Sequence, residues 1–166
     1  MDWYMTVLRF LHLSASVLVV GSIAYNVLFL IPAMSRLDSS IQRPAMLAIG
    51  HRVAKGMLAA VSVALITGVL MTVEVLGFNN LGRLFSTEWG RAVTEGTLVS
   101  AVMFSISSTF VLRNIFRMRR MARAGTAPTP ENALRMQKQI RYGSIIAMAF
   151  SLIAVFAMVM ARGYNV

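Results

Sequence analysis

Residues 10–35 read FLHLSASVLVVGSIAYNVLFLIPAMS, 26 positions between Arg9 and Arg36 without a formal charge. About 20 apolar residues of α-helix cross the hydrocarbon core of a bilayer, so this run is long enough to cross it with some tilt. It carries one imidazole, His12, roughly 10 Å from the N-terminal end of a helix that starts near Met5, at about 1.5 Å of rise per residue. An ionisable group at that depth is costly unless it has a partner. The rest of the chain is therefore read by asking what meets His12.

Of the 166 residues, 57% are hydrophobic and 13% charged, with a mean hydropathy of +0.69. Soluble domains carry about a quarter charged residues, so residues 1–166 read as one membrane domain. The absence of cysteine excludes disulfides, thiolate metal ligands and thiol catalysis. A cleaved signal peptide is not expected, because the first apolar run is too long for one and no small-residue cleavage site follows it. The net charge of +10 comes from basic residues clustered between apolar runs. That is the pattern of loops facing anionic lipid head groups, the expected partner of the basic 113–141 region, and not of a nucleic-acid binder.

Three further charge-free runs follow: Gly56–Val73, Gly96–Leu112 and Tyr142–Ala161. With their flanks, the four spans are expected at about 5–32, 51–77, 89–113 and 142–162. Together they form an all-α, antiparallel four-transmembrane-helix bundle. Pro32 is read as the end of the first helix, since the residue before a proline disfavours helical geometry. Pro44 fits the first turn of a short interfacial helix leading into the second span. Gly77–Gly82 reads as a loop, Ser86–Glu88 as a helix start, Gly125–Pro130 as a linker and Glu131–Gln139 as a short surface helix.

Lys and Arg set the expected orientation. Arg36, Arg43, Arg52 and Lys55 follow span one. Arg113, Arg117, Arg119, Arg120, Arg123, Arg135, Lys138 and Arg141 follow span three. Only Arg83 and Arg91 lie between spans two and three. Both termini are thus expected outside the cytoplasm, in a bacterial-type plasma membrane. Trp3, Tyr4, Trp89 and Tyr164 would then form an outer aromatic belt.

On this topology His51 opens span two at the cytoplasmic face, beside Arg52 and Lys55, where it fits an interfacial group touching lipid phosphate. It lies on the order of 25–30 Å from His12, so the two imidazoles do not share one ion within one chain. The outer half holds His12 and, on the other spans, Met71, Glu74, Glu95 and Met158. Thr67, Met71 and Glu74 are spaced to share a helix face. Imidazole with thioether suits copper, Cu(I) especially. Imidazole alone serves as an axial ligand to haem b. A carboxylate beside it can orient it or relay protons. The plainer alternative is a hydrogen bond from His12 to Ser16 or to a neighbouring helix. Phosphate-binding glycine loops, HExxH and Ser-His-Asp sets are absent. Gly21, Gly68, Ser100, Ser105 and Ser107 fit close helix packing.

Leu11-His12-Leu13, Val20-Gly21 and Leu30-Ile31-Pro32-Ala33 resemble the first helix of copper-resistance D (CopD)-like membrane proteins. His51-Arg52 through Leu65-Ile66-Thr67-Gly68 resembles their second helix, and Trp89-Gly90-Arg91 the start of the next. HemJ-type protoporphyrinogen oxidases share this four-helix plan and an early helix-one histidine. The resemblance implies a copper or haem-iron function with His12 as the family ligand. Two family features differ: Leu18 stands where those proteins have a tryptophan, and Gly96 or Val93 where a helix-three lysine is expected. A second class is a non-catalytic subunit packed in a larger respiratory, photosynthetic or oxidase complex, or a homo-oligomer.

Overall fold

A computed structural model describes residues 3–126 and 129–161. The first crossing comprises α1 (Trp3–Tyr25), a π-helical stretch (Asn26–Leu30) and α2 (Ile31–Met34). The second is α3 (Ser39–Leu76), followed by a 3-10 turn (Phe78–Asn80) and the one-turn α4 (Arg83–Ser86). The third comprises α5 (Glu88–Ile106), a second π-helical stretch (Ser107–Leu112) and α6 (Arg113–Arg123); the fourth is α7 (Pro130–Ala161). Four helical units are long and apolar enough to cross a membrane: Trp3–Met34, Ser40–Leu76, Glu88–Arg123 and Glu131–Met160. This is an all-α bundle and a multi-pass membrane protein. Tyr164, the end of span four at 162, and linker residues Ala127 and Pro128 lie outside the described residues.

The helices run past the charge-free segments. At about 1.5 Å per residue, the 38 residues of α3 extend roughly 57 Å against a hydrocarbon core of about 30 Å. The interfacial helix expected before span two is therefore the first part of α3 itself, with Pro44 in its second turn. The basic 113–141 region is likewise mostly helix, since α6 prolongs α5 and α7 begins at Pro130. Charge ends a membrane-buried segment without ending a helix; backbone geometry ends the helix. α3 stops at Gly77, with φ of +72°, and α6 is followed by Gly125, with φ of +65°. Both conformations favour glycine. Pro32 does not end the first crossing, which continues to Met34. Just before it, the Ile31 N–H bonds the Asn26 carbonyl, five residues back. This wider turn lets the helix absorb a proline that lacks its own donor.

The extensive pairings are α1 with α3 and α5 with α7. Further contacts join α1 to α7, and α3 to α6. All four crossings meet in a central layer of Val19, Ile23, Met57, Ala60, Met103 and Ala147. Alanines and serines such as Ala15, Ala54, Ala60, Ala147, Ser107 and Ser151 are buried beside these larger side chains, as suits helices whose close approach supplies the attraction in lipid. Gly143 of α7 lies so near Phe110 that an added Cβ would come within 2.6 Å of the Phe110 Cβ. Leu13, Leu18, Leu65, Ile66 and Phe156 face outward, which suits a surface solvated by acyl chains. Asn114 of α6 is buried and donates to the Gln139 side chain of α7 at 2.9 Å, a polar tie between the third and fourth crossings.

Candidate functional site around His12

His12 stands on α1 and reaches across to α3. Its Nδ1 lies 2.8 Å from the carbonyl oxygen of Ala64 and 3.2 Å from the hydroxyl of Thr67. A carbonyl oxygen only accepts, so Nδ1 carries the hydrogen and donates it. The Thr67 hydroxyl donates to the Val63 carbonyl at 2.7 Å, leaving its oxygen free to accept a share of the same N–H. In the neutral ring the lone pair then sits on Nε2, which makes no hydrogen bond among the described residues. Gly68 makes the close approach possible. A Cβ there would stand 3.1 Å from His12 Cε1 and 3.4 Å from Nδ1.

The plainer expectation, a hydrogen bond to a neighbouring helix, is thus met by one ring nitrogen, while the other keeps its lone pair. An imidazole whose Nδ1–H is held by a carbonyl is fixed in tautomer and orientation, with the Nε2 lone pair left to accept. That arrangement suits a ligand to iron or copper, or a proton acceptor.

Met71 lies one turn beyond Thr67 on α3 and is half-buried. Glu74 and Glu95 are exposed, the latter near the start of α5. Met158 is 42% exposed, and an added Cβ at Gly96 would stand 3.9 Å from its Cγ. No three His, Asp or Glu side chains gather into a metal-holding group among the described residues, so His12, Glu74 and Glu95 do not form a cluster within one chain. His51 sits on the same helix as Thr67 but 16 residues earlier, roughly 24 Å along the axis. There its Nε2 contacts the Arg119 guanidinium of α6, a partner on a basic stretch that carried no pairing signal.

Sequence reasoning placed Thr67 and the Thr67–Gly68 pair but not the Ala64 carbonyl. A backbone acceptor is present at every residue and leaves no mark in the sequence. Fold and site together define a four-span helical membrane protein with one oriented intramembrane imidazole. No family model, curated protein or solved structure matches the chain.

Proposed function

We propose that this is a CopD-like integral membrane protein that handles haem iron or copper through His12, in the outer half of a plasma-membrane bundle with both termini outside. The observation that carries the reading is the Nδ1–H of His12 held by the Ala64 carbonyl, with the Nε2 lone pair left for a ligand. The resemblance gains support from contact between its own motifs: the histidine of Leu11-His12-Leu13 packs on the Thr67–Gly68 pair from the second helix.

The donor set favours haem over copper. A porphyrin brings four nitrogens of its own, so one protein imidazole suffices as axial ligand. When bound, such a group would supply one-electron chemistry. The chain would hold such a group through His12, whose ring is fixed by the Ala64 carbonyl, and a second protein ligand would come from another helix or another copy. The copper version needs soft donors beside the imidazole, for which Met5, Met71 and Met158 are the candidates. The HemJ-type oxidase reaction is not assigned, because this chain has no lysine early in its third crossing.

The accessory-subunit reading has its own support. Only 11% of the most apolar window of the first crossing is buried within the chain, so that face has room for another membrane subunit.

An optical spectrum and metal analysis of the purified protein separate these readings. A Soret band lost in His12→Ala supports haem. Stoichiometric Cu(I) binding by a colourless protein, lost in the same variant, supports copper. Neither ligand in the wild type, with assembly and activity surviving His12→Ala, leaves the subunit reading.

A further inference from the structure

A second locus lies at the opposite end of α3 from the His12 contact, where α3 meets α6. The two helices approach at Gly50, whose added Cβ would stand 3.7 Å from the Ile115 side chain. One residue on, the His51 ring meets Phe116 edge-on, with centroids 6.0 Å apart at 79°. One turn further along α6, the Arg119 guanidinium contacts His51 Nε2. Arginine only donates, so His51 accepts with its Nε2 lone pair and carries its hydrogen on Nδ1. That second nitrogen is buried without a hydrogen-bond partner among the described residues. His51 is thus a neutral prop that fixes the Arg119 fork and occupies one of its five donors.

Beside this pair lies an open recess of about 620 Å³. Arg52, Arg119 and Arg123 line it together with His51, against an apolar wall that includes Ala48 and Ile49, and no carboxylate is among its lining residues. Arg119 and Arg123 stand four residues apart on one helix, a spacing at which like charges repel. Three arginines lining one recess, with the Arg119 guanidinium held by His51 and no carboxylate among the described lining residues, match the planar, multidentate recognition of phosphate.

We infer that this recess is a specific binding site for a phosphate-bearing anion, held by Arg119, Arg123 and Arg52, with His51 as the positioning residue for Arg119. The general expectation of lipid contact along a basic region becomes a defined site with named donors. It is independent of His12 and of any metal.

The test uses the full chain in detergent and in nanodiscs. Thermal unfolding and native mass spectrometry are followed against dioleoyl-phosphatidylglycerol, dioleoyl-phosphatidylcholine and inorganic phosphate. Retention and stabilisation by phosphatidylglycerol but not phosphatidylcholine are expected. Arg119→Gln and Arg123→Gln should each weaken apparent binding by about tenfold. Arg117→Gln, the same charge change on the exposed side of α6, should leave it near wild type. If inorganic phosphate alone reproduces the effect with the same pattern of variants, the site stands and its ligand is a free anion. Equal loss in Arg117→Gln would mean a diffuse basic surface and overturn the inference, as would failure of both probes to bind. Should Arg119→Gln not fold, the exposed Arg52→Gln and Arg123→Gln carry the test, and wild-type binding in both overturns it.

Discussion

His12 Nδ1 of α1 lies 2.8 Å from the backbone carbonyl oxygen of Ala64 on α3. That one contact sets the tautomer of the intramembrane imidazole and ties the first crossing to the second. It predicts a ¹⁵N spectrum of the unliganded protein in which His12 carries its hydrogen on Nδ1 and has a bare Nε2. The reverse tautomer would contradict the contact.

The ring depends on the missing side chain at Gly68. A methyl group there would sit 3.1 Å from His12 Cε1, so the ring must move by a few tenths of an ångström. Gly68→Ala should cost about 1 kcal/mol in detergent unfolding and weaken the Nδ1 hydrogen bond, read from the ¹⁵N resonance of His12. Ligand content should fall in the same variant. An unchanged resonance would show that the ring tolerates the crowding.

Gly90 predicts a harsher outcome. Its added Cβ would lie 2.4 Å from the Arg83 carbonyl oxygen and 2.6 Å from Leu84 Cα, and backbone atoms do not swing aside. Gly90→Ala should cost about 3 kcal/mol or prevent assembly. Thr87→Ala, at the cap of the same helix, removes the γ-methyl and a hydroxyl that accepts from the Gly90 N–H at 3.0 Å and donates to the Arg83 carbonyl at 2.9 Å. It should cost about 1 kcal/mol. Unfolding in mixed micelles ranks the two.

The tie between Asn114 and Gln139 is testable by a double-mutant cycle. Asn114→Leu and Gln139→Leu each break the 2.9 Å hydrogen bond. Interhelical hydrogen bonds of this kind contribute about 0.6 kcal/mol on average, so the coupling should be of that order and favourable. A coupling near zero would reduce the contact to coincidence.

Orientation is open to labelling because the chain has no cysteine of its own. Phe85→Cys, on the exposed one-turn α4 between α3 and α5, should react with an impermeant maleimide from outside intact cells. Ala124→Cys, beyond the basic α6, should react only after permeabilisation. The opposite pattern would invert the topology and move His12 to the cytoplasmic half.

The four crossings were legible because charge-free length is a direct consequence of bilayer thickness, and the loop from Gly77 and the linker from Gly125 because clustered glycine, proline and small polar residues break regular structure. The extent of the helices was hidden. Arg113–Arg123 is polar enough to read as loop, and Glu131–Gln139 as a surface helix apart from the fourth span, yet α6 prolongs the third crossing and α7 runs unbroken from Pro130 to Ala161. His12 was visible as a lone imidazole, and Thr67–Gly68 as a motif. The contact between them needed the relative rotation of α1 and α3, which periodicity does not supply. Trp89-Gly90-Arg91 was recognisable as a pattern, but only the backbone of Arg83 and Leu84 against Gly90 gives the glycine its physical reason.

The most direct test of the central claim is the haem, iron and copper content of wild-type protein and His12→Ala, purified identically and shown by circular dichroism to be equally helical. Stoichiometric ligand in the wild type and its loss in the variant is the predicted result. Equal content in both, or none in the wild type after loading with haem or Cu(I), would contradict it.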